Sequence, residues 1–299
     1  MRITNRMNLP DAFVKAVCTE RHNRKGTISA TTLLKGVKEI VLSDRHWDDM
    51  EDDASERVWL ILGTAVHSIM ERHGEGNFVE KQLEFDTGKM TVTGQVDFFD
   101  EKKGIIVDWK TCTDTKVLMG DFDDWHRQAM IYAWLLTKNG FNVSKAQFIG
   151  IIKNHSKRRA MYEGGYPNAP VHVVEFDISE GDIADIERFI LDKVEQVHSA
   201  QSMEDDDIPS CSPGERWETP TVYAVMKEGN VKSKKNCPTM EEAEDRVKQL
   251  GKGHYVQVRK GTSNKCNGYC QCKGFCNFYR EMKATSYCQA TFCVRVPVS

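Results

Sequence analysis

The chain has 299 residues, enough for one large domain or for a domain carrying an insertion. Its 40% hydrophobic and 28% charged residues are proportions of an ordinary globular protein. A formal net charge of −3 excludes a global positive field for capturing nucleic acid, so any such binding must rest on local patches and on bound cations. The opening stretch lacks the apolar core of a secretory signal, and no apolar run nears membrane-spanning length, residues 58–62 being among the longest. The expectation is a cytoplasmic location without membrane contact.

Residues 1–28 are charged and weakly patterned and read as a lead-in. Ser29 and the threonines after it are capping residues ahead of an apolar stripe at Leu33, Leu34, Val37, Ile40 and Val41, the spacing of a helix. Acidic residues 44–53 read as a loop. A second helix is expected over 55–73, with Val58, Leu62, Val66, Ile69 and Met70 on one side and Gly63 permitting close packing. Three strands fill 78–111. A strongly apolar helix follows over 123–139, stopped by Gly140, then strands at 146–153 and 171–178. A long helix over 179–201 carries Ile183, Ile186, Phe189, Ile190, Val194 and Val197 at helical spacing. The fold class expected is α/β, with helices packed on a small mixed sheet.

The acidic run at 204–207 and Pro209 mark a break. Beyond it come strands at 221–227 and 231–236, a helix over 238–250 capped by Thr239, and a strand at 254–259, a small β-β-α-β insertion. The organisation expected is a lead-in (1–28), a core (29–211), the insertion (212–262) and a cysteine-rich C-terminal segment (263–299).

Chemistry concentrates at 94–113. Asp97 lies near the end of an alternating run from Thr91 to Phe99, and a polar turn closed by Gly104 precedes a β-rich run from Ile105 to Thr111. Side chains repeat every second residue along a strand, so Asp108 and Lys110 share a face. A hairpin brings Asp97 next to Asp108. Two adjacent carboxylates are costly unless a divalent cation lies between them, and hard cations such as magnesium take oxygen ligands. A lysine beside them can hold the attacking water or stabilise charge on a phosphate. A solvated strand end is the ordinary alternative, but apolar Ile105, Ile106 and Val107 lead straight into Asp108. His67 and Glu71 lie one helical turn apart, as do Gln128 and Tyr132. An imidazole can complete a His-Asp-Asp set, while a surface histidine, and a core tyrosine with a glutamine at its rim, are the commoner fates of such pairs. The basic run at 153–159 is either a nucleic-acid patch or a solvated loop.

Ten cysteines in a chain without a secretion signal are not expected to form structural disulfides. Cys266, Cys270, Cys272 and Cys276 crowd into eleven residues, which favours a metal or iron–sulfur site.

Taken in order, residues 63–67, Gly94 to Asp97, Val107 to Lys110, and Gln128 with Tyr132 closely resemble the motifs of the RecB-like branch of the PD-(D/E)XK nuclease superfamily, over about residues 29–200. The resemblance implies a restriction-endonuclease-like core and magnesium- or manganese-dependent hydrolysis of DNA, as an exonuclease of phage or prokaryotic recombination, repair or processing. It implies that His67, Asp97, Asp108 and the Trp109 carbonyl hold metal, that Lys110 orients or activates water, and that Gln128 and Tyr132 help place the strand. An upstream acid is also implied, either Glu80 or Glu84. More loosely, the cysteine group resembles that of CRISPR-associated exonucleases, AddB-type nucleases and phage-encoded nuclease-like proteins. This implies a 4Fe–4S cluster on Cys211, Cys266, Cys270 and Cys276, with zinc as the alternative. Cys288 and Cys293 are further candidates, and Cys272 departs from the pattern. The partners implied are DNA, single-stranded or with free ends, and a separate helicase or recombination protein; the chain has no phosphate-binding Gly-x-x-x-x-Gly-Lys-Ser/Thr loop, so any ATP-driven unwinding must come from another subunit. The alternative function is an inactive nuclease fold that binds DNA ends or a partner around a structural zinc or iron–sulfur site.

Overall fold

The structure is a computed structural model and describes residues 1–18, 24–73, 78–289 and 295–296. The chain divides into two compact units, Met1–Lys35 with Asp48–Ser202, and Gly36–Trp47 with Met203–Ser299. The first unit starts with β1 (Arg2–Thr4), α1 (Asp11–Val17), β2 (Thr27–Ser29) and α2 (Ala30–Leu33), whereas α3 (Val37–Arg45) belongs to the second. The first unit resumes with β3 (Glu51–Asp53), α4 (Val58–His73), β4 (Phe78–Asp86), β5 (Thr91–Asp100) and β6 (Ile105–Cys112). It continues through α5 (Asp114–Met119), α6 (Asp123–Lys138), β7 (Lys145–Ile152), α7 (Lys157–Tyr162), β8 (Val171–Asp177) and α8 (Glu180–Ala200). The second unit then adds β9 (Val222–Lys227), β10 (Lys235–Cys237), α9 (Met240–Leu250), β11 (His254–Arg259), α10 (Asn264–Gly268), α11 (Asn277–Gln289) and β12 (Arg295–Val296).

The first unit is built on a mixed six-stranded sheet in the order β2-β5-β6-β7-β8, with β4 on the other side of β5. β6 and β7 run parallel, and the helices α5 and α6 make the crossover between them. β4 and β8 are antiparallel to their neighbours. Helix α6 carries the largest share of the core, with Ala129, Ile131, Ala133, Trp134, Leu135 and Leu136 all fully buried. It comes close to the sheet at Gly94, where a Cβ would stand 2.5 Å from Leu135 Cδ1 and 3.3 Å from the Tyr132 ring. A capping box starts α8, in which Ser179 and Asp182 satisfy each other's backbone N–H groups.

The pairing of β5 positions the site. Its first residues, Thr91–Thr93, pair with β2, while Phe98–Asp100 pair with Val107–Ile105 of β6. The antiparallel ladder stops at Phe98 and Val107, one position short of Asp97 and Asp108. The two acids therefore face each other where the strands part.

Several expectations need correction. Residues 1–28 are more than a lead-in. β1 pairs in parallel with β3, and the Asp53 carboxylate accepts hydrogen bonds from Thr4 Oγ1 (2.7 Å), the Arg6 N–H (2.9 Å) and Ser55 Oγ (2.7 Å). The stripe read as one helix from Ser29 is two, α2 and α3, separated by an extended Gly36. A Cβ on Gly36 would lie 2.5 Å from Cys211 Sγ, so this close approach requires glycine and ends the helical path. No atom approaches Gly63 within 4 Å of where its Cβ would be, so it serves no close packing among the described residues. The expected boundaries at 29, 211 and 262 also differ from the observed division, because α3 groups with the C-terminal unit and β12, from the cysteine-rich segment, pairs with β11 of the insertion.

In the second unit, the antiparallel sheet β10-β9-β11-β12 packs on α9 around Val225, Cys237, Ala243, Val247 and Val256. Lys38 of α3 is almost fully buried and donates its amine to Ile208 O at 2.8 Å, and buried Glu39 pairs with Lys265 at 2.6 Å. Among the described residues no helix is long and apolar enough to cross a membrane.

Candidate active site

The four groups expected at the nuclease site come together in the first unit. His67 of α4 places Nδ1 3.1 Å from Asp97 Oδ1. The other Asp97 oxygen accepts the Trp109 N–H at 2.9 Å, which ties the end of β5 to β6 where the ladder has stopped. Asp108 is 1% exposed, and Lys110 Nζ lies 2.6 Å from its Oδ2. Besides this ammonium, Oδ2 has no hydrogen-bond donor among the described residues, so the charge of a buried carboxylate rests on one lysine.

The electrostatics follow from this arrangement. Burial raises the Asp108 carboxyl to about 6, only partly offset by the Lys110 ammonium, while the Asp97 charge pushes the same way as burial. The Asp97 carboxylate raises His67 by hydrogen bonding to its ring.

Gln128 and Tyr132 lie where α6 crosses β5, and each is only 6% exposed. Gln128 Nε2 donates to Tyr132 Oη at 2.9 Å. Burial, reinforced by the Asp108 charge, raises the Tyr132 phenol, so it is neutral and can donate a proton to an acceptor. Both residues are therefore in the core, Gln128 as well as Tyr132, rather than the glutamine lying at the rim. For Trp109 the structure gives a bond through its N–H. Of the two upstream acids, Glu84 is half-exposed and pairs loosely with Arg24 at 3.5 Å, and the side chain of Glu80 lies outside the described residues. Glu71 is exposed.

In the second unit, the Sγ atoms of Cys270 and Cys272 are 3.5 Å apart. Cys272, set aside by the sequence pattern, is the most buried of the group and points its thiol at Glu39 O, 3.7 Å away. The Cys272 contact lowers Cys270, and burial raises the Cys211 thiol to about 11. Burial also raises the Cys266 thiol, with the Cys270 and Cys276 charges acting in the same direction. The side chains of Cys288 and Cys293 lie outside the described residues. Among the described residues no group of three or more His, Cys, Asp and Glu side chains is arranged, as placed, to hold a metal ion.

Sequence reasoning missed a third cluster. Asp114, 5% exposed, accepts from Asn154 Nδ2 (2.8 Å), Tyr166 Oη (3.1 Å) and Arg159 (2.6 Å), and Asn154 in turn accepts the Asp114 N–H at 2.8 Å. Its partners lie 40 to 52 residues away, beyond any local pattern.

A mixed sheet flanked by helices, with two acids and a lysine where central strands part, defines a restriction-endonuclease-like nuclease fold. The profile of the PD-(D/E)XK nuclease superfamily matches residues 70–277, and the chain belongs to that superfamily. The match begins just after His67. Among solved structures, SSO0001 is similar at 18% identity over 62% of this chain and 82% of its own, with a TM-score of 0.43. A phage related exonuclease from Haemophilus somnus 129PT is similar at 12% identity over 57% of this chain and 93% of its own (TM-score 0.36). An alkaline exonuclease, LHK-Exo from Laribacter hongkongensis, is similar at 10% identity over 64% and 94% (TM-score 0.40). No curated protein matches the chain.

Proposed function

We propose that the chain is a magnesium- or manganese-dependent DNA nuclease whose catalytic residues are Asp97, Asp108 and Lys110. The observation that carries this reading is the convergence of buried Asp108, the Lys110 ammonium 2.6 Å from its Oδ2, and the Asp97–His67 pair at the ends of adjoining strands. Two carboxylates, an imidazole and a backbone carbonyl are donor types that suit a hard divalent cation, and His67, Asp97, Asp108 and the Trp109 carbonyl would hold it once the side chains turn toward it. Such a cation, when bound, polarises the scissile phosphate and acidifies water. Lys110 holds the attacking water or the charge that builds on the phosphate. Tyr132 and Gln128 act as positioning residues for the acids rather than as direct contacts to the strand.

Cleavage of labelled single-stranded, linear duplex and circular DNA with manganese tests the reading. The wild-type chain cuts, whereas Asp108→Asn and Lys110→Ala lose activity by at least about a hundredfold while keeping their circular-dichroism spectra. Unchanged cutting by either variant removes the assignment. DNA bound but never cut by the wild-type chain favours the inactive binding module. The circular substrate decides the exonuclease expectation, since an enzyme that needs a free end leaves it intact. An unwinding partner is needed only if single strands are cut and duplex is not.

For the second unit we infer that Cys211, Cys266, Cys270 and Cys276 hold a structural 4Fe–4S cluster, with zinc as the competing occupant. Soft thiolates support either. Metal analysis and visible absorbance of anaerobically purified protein separate the two, and protein with neither metal refutes both.

A further inference from the structure

Beyond the C-terminal ends of β6 and β7 lies a surface that the acids leave unused. Lys153 directly follows β7, with its N–H bonded to Cys112 O at 3.0 Å, three residues past Gly150, the strand neighbour of Lys110. At about 3.3 Å per residue, that is roughly 10 Å along the sheet from the level of Lys110. Lys153 Nζ sits 3.8 Å from the ring centroid of Trp59, which α4, the helix that carries His67, leaves 58% exposed. Lys157 and Arg158 are also exposed, and among the described residues none of Lys153, Lys157 and Arg158 has a carboxylate partner, whereas Arg159 has two.

This segment is fixed in place. Asp114 ties down Asn154, Arg159 and Tyr166, the Ser156 N–H donates to Tyr166 Oη at 2.9 Å, and the His155 ring bonds Pro167 O at 2.8 Å. A network centred on buried Asp114 and Tyr166 thus holds cations without carboxylate partners beside a half-exposed indole, one face of which Lys153 already covers, next to the strand ends that lead to the acids. An indole face stacks on a base only where that base has left its own stack, and cations without carboxylate partners are free to take phosphates.

We propose that this surface is a track for single-stranded DNA, with Trp59 stacking on a nucleobase and Lys153, Lys157 and Arg158 holding the phosphates of the strand entering or leaving the site. The choice of DNA rests on the nuclease reading, but the test does not depend on cleavage. In the full-length Asp108→Asn chain, binding to a labelled oligothymidylate and to a blunt duplex of equal length is followed by fluorescence anisotropy in calcium. Adding Trp59→Ala lowers single-strand affinity about tenfold and duplex affinity less than about threefold, and Trp59→Phe restores most of the loss. Adding Lys153→Ala lowers the salt slope of single-strand binding by about one. Unchanged single-strand affinity in Trp59→Ala, an equal loss on duplex, or no single-strand binding by the parent chain overturns the track. If Trp59→Ala melts early, Trp59→Phe and Lys153→Ala decide the question. Failure of wild-type cleavage with these results intact would refute the nuclease and leave the track.

Discussion

At Asp108 a carboxylate with 1% exposure has only the Lys110 ammonium to offset its burial, and its carboxyl is raised from the ordinary 3.8 to about 6. Folding therefore favours the protonated form. Without divalent cation, this group's contribution to stability is greatest below about pH 4, falls as pH rises towards 6, and is flat above. In EDTA at pH 7, Asp108→Asn should accordingly raise stability by roughly 1–3 kcal/mol while abolishing cleavage, a trade between folding and function. Urea melts at pH 4 and pH 7 check this, and a variant less stable than wild type at pH 7 contradicts it. Much of this site was legible in the residues. Strand alternation places Asp108 and Lys110 on one face, and the hairpin count brings Asp97 opposite Asp108. Helical spacing paired Gln128 with Tyr132 but could not tell that both are buried, because exposure depends on what packs from elsewhere. Trp59 was hidden for the same reason, inside an apolar run that reads as core.

Among the elements, the long ones followed their periodicity closely. β7, β8, β11 and α8 end within a residue or two of the expected limits. The short ones did not. α5 and α7 are six residues each, too brief for a 3.6-residue period to declare itself, and β1 and β3 are charged strands without alternation. Tertiary partners hold them instead, and for α5 and α7 the partner is Asp114. Hydrogen bonds from Asn154 and Tyr166, with the Arg159 charge, hold its carboxyl below the usual range. A lowered carboxyl stabilises fully above the ordinary 3.8, and that contribution is lost as pH falls through the folded value beneath it. Asp114→Asn should lower the melting temperature at pH 7, and the gap to wild type should narrow as the pH drops towards 3. A gap that stays constant with pH would show that the charge is not what binds the two helices.

The whole molecule is interleaved rather than sequential. The chain leaves the first unit at Gly36, returns at Asp48 and leaves again at Met203. The acidic run at 204–207 marks a break in pattern, but the core boundary was expected at 211 and the units divide at 203, and nothing local in α3 reveals that its partners lie at the far end of the sequence. A fragment ending at Ser202 strips α3, with its buried Ile40, Val41 and Leu42, of the Ile208 carbonyl that takes the Lys38 amine, of Lys265 against Glu39 and of Cys272 against the Glu39 carbonyl. That fragment should aggregate or bind a hydrophobic dye where the full chain does not, as size-exclusion chromatography and dye fluorescence would show. A monomeric fragment with the full chain's melting temperature would mean that α3 needs no C-terminal partner.

The same interleaving sets a timetable for synthesis. On the ribosome, α3 emerges early, and the stretch Asp48–Ser202 must be made before the first of its partners is translated. Closing so long an intervening chain carries an entropic penalty that grows only slowly with length, so waiting rather than closure is the hazard. A nascent α3 keeps apolar residues uncovered for that interval, and the C-terminal unit cannot be completed ahead of the stretch it encloses in sequence.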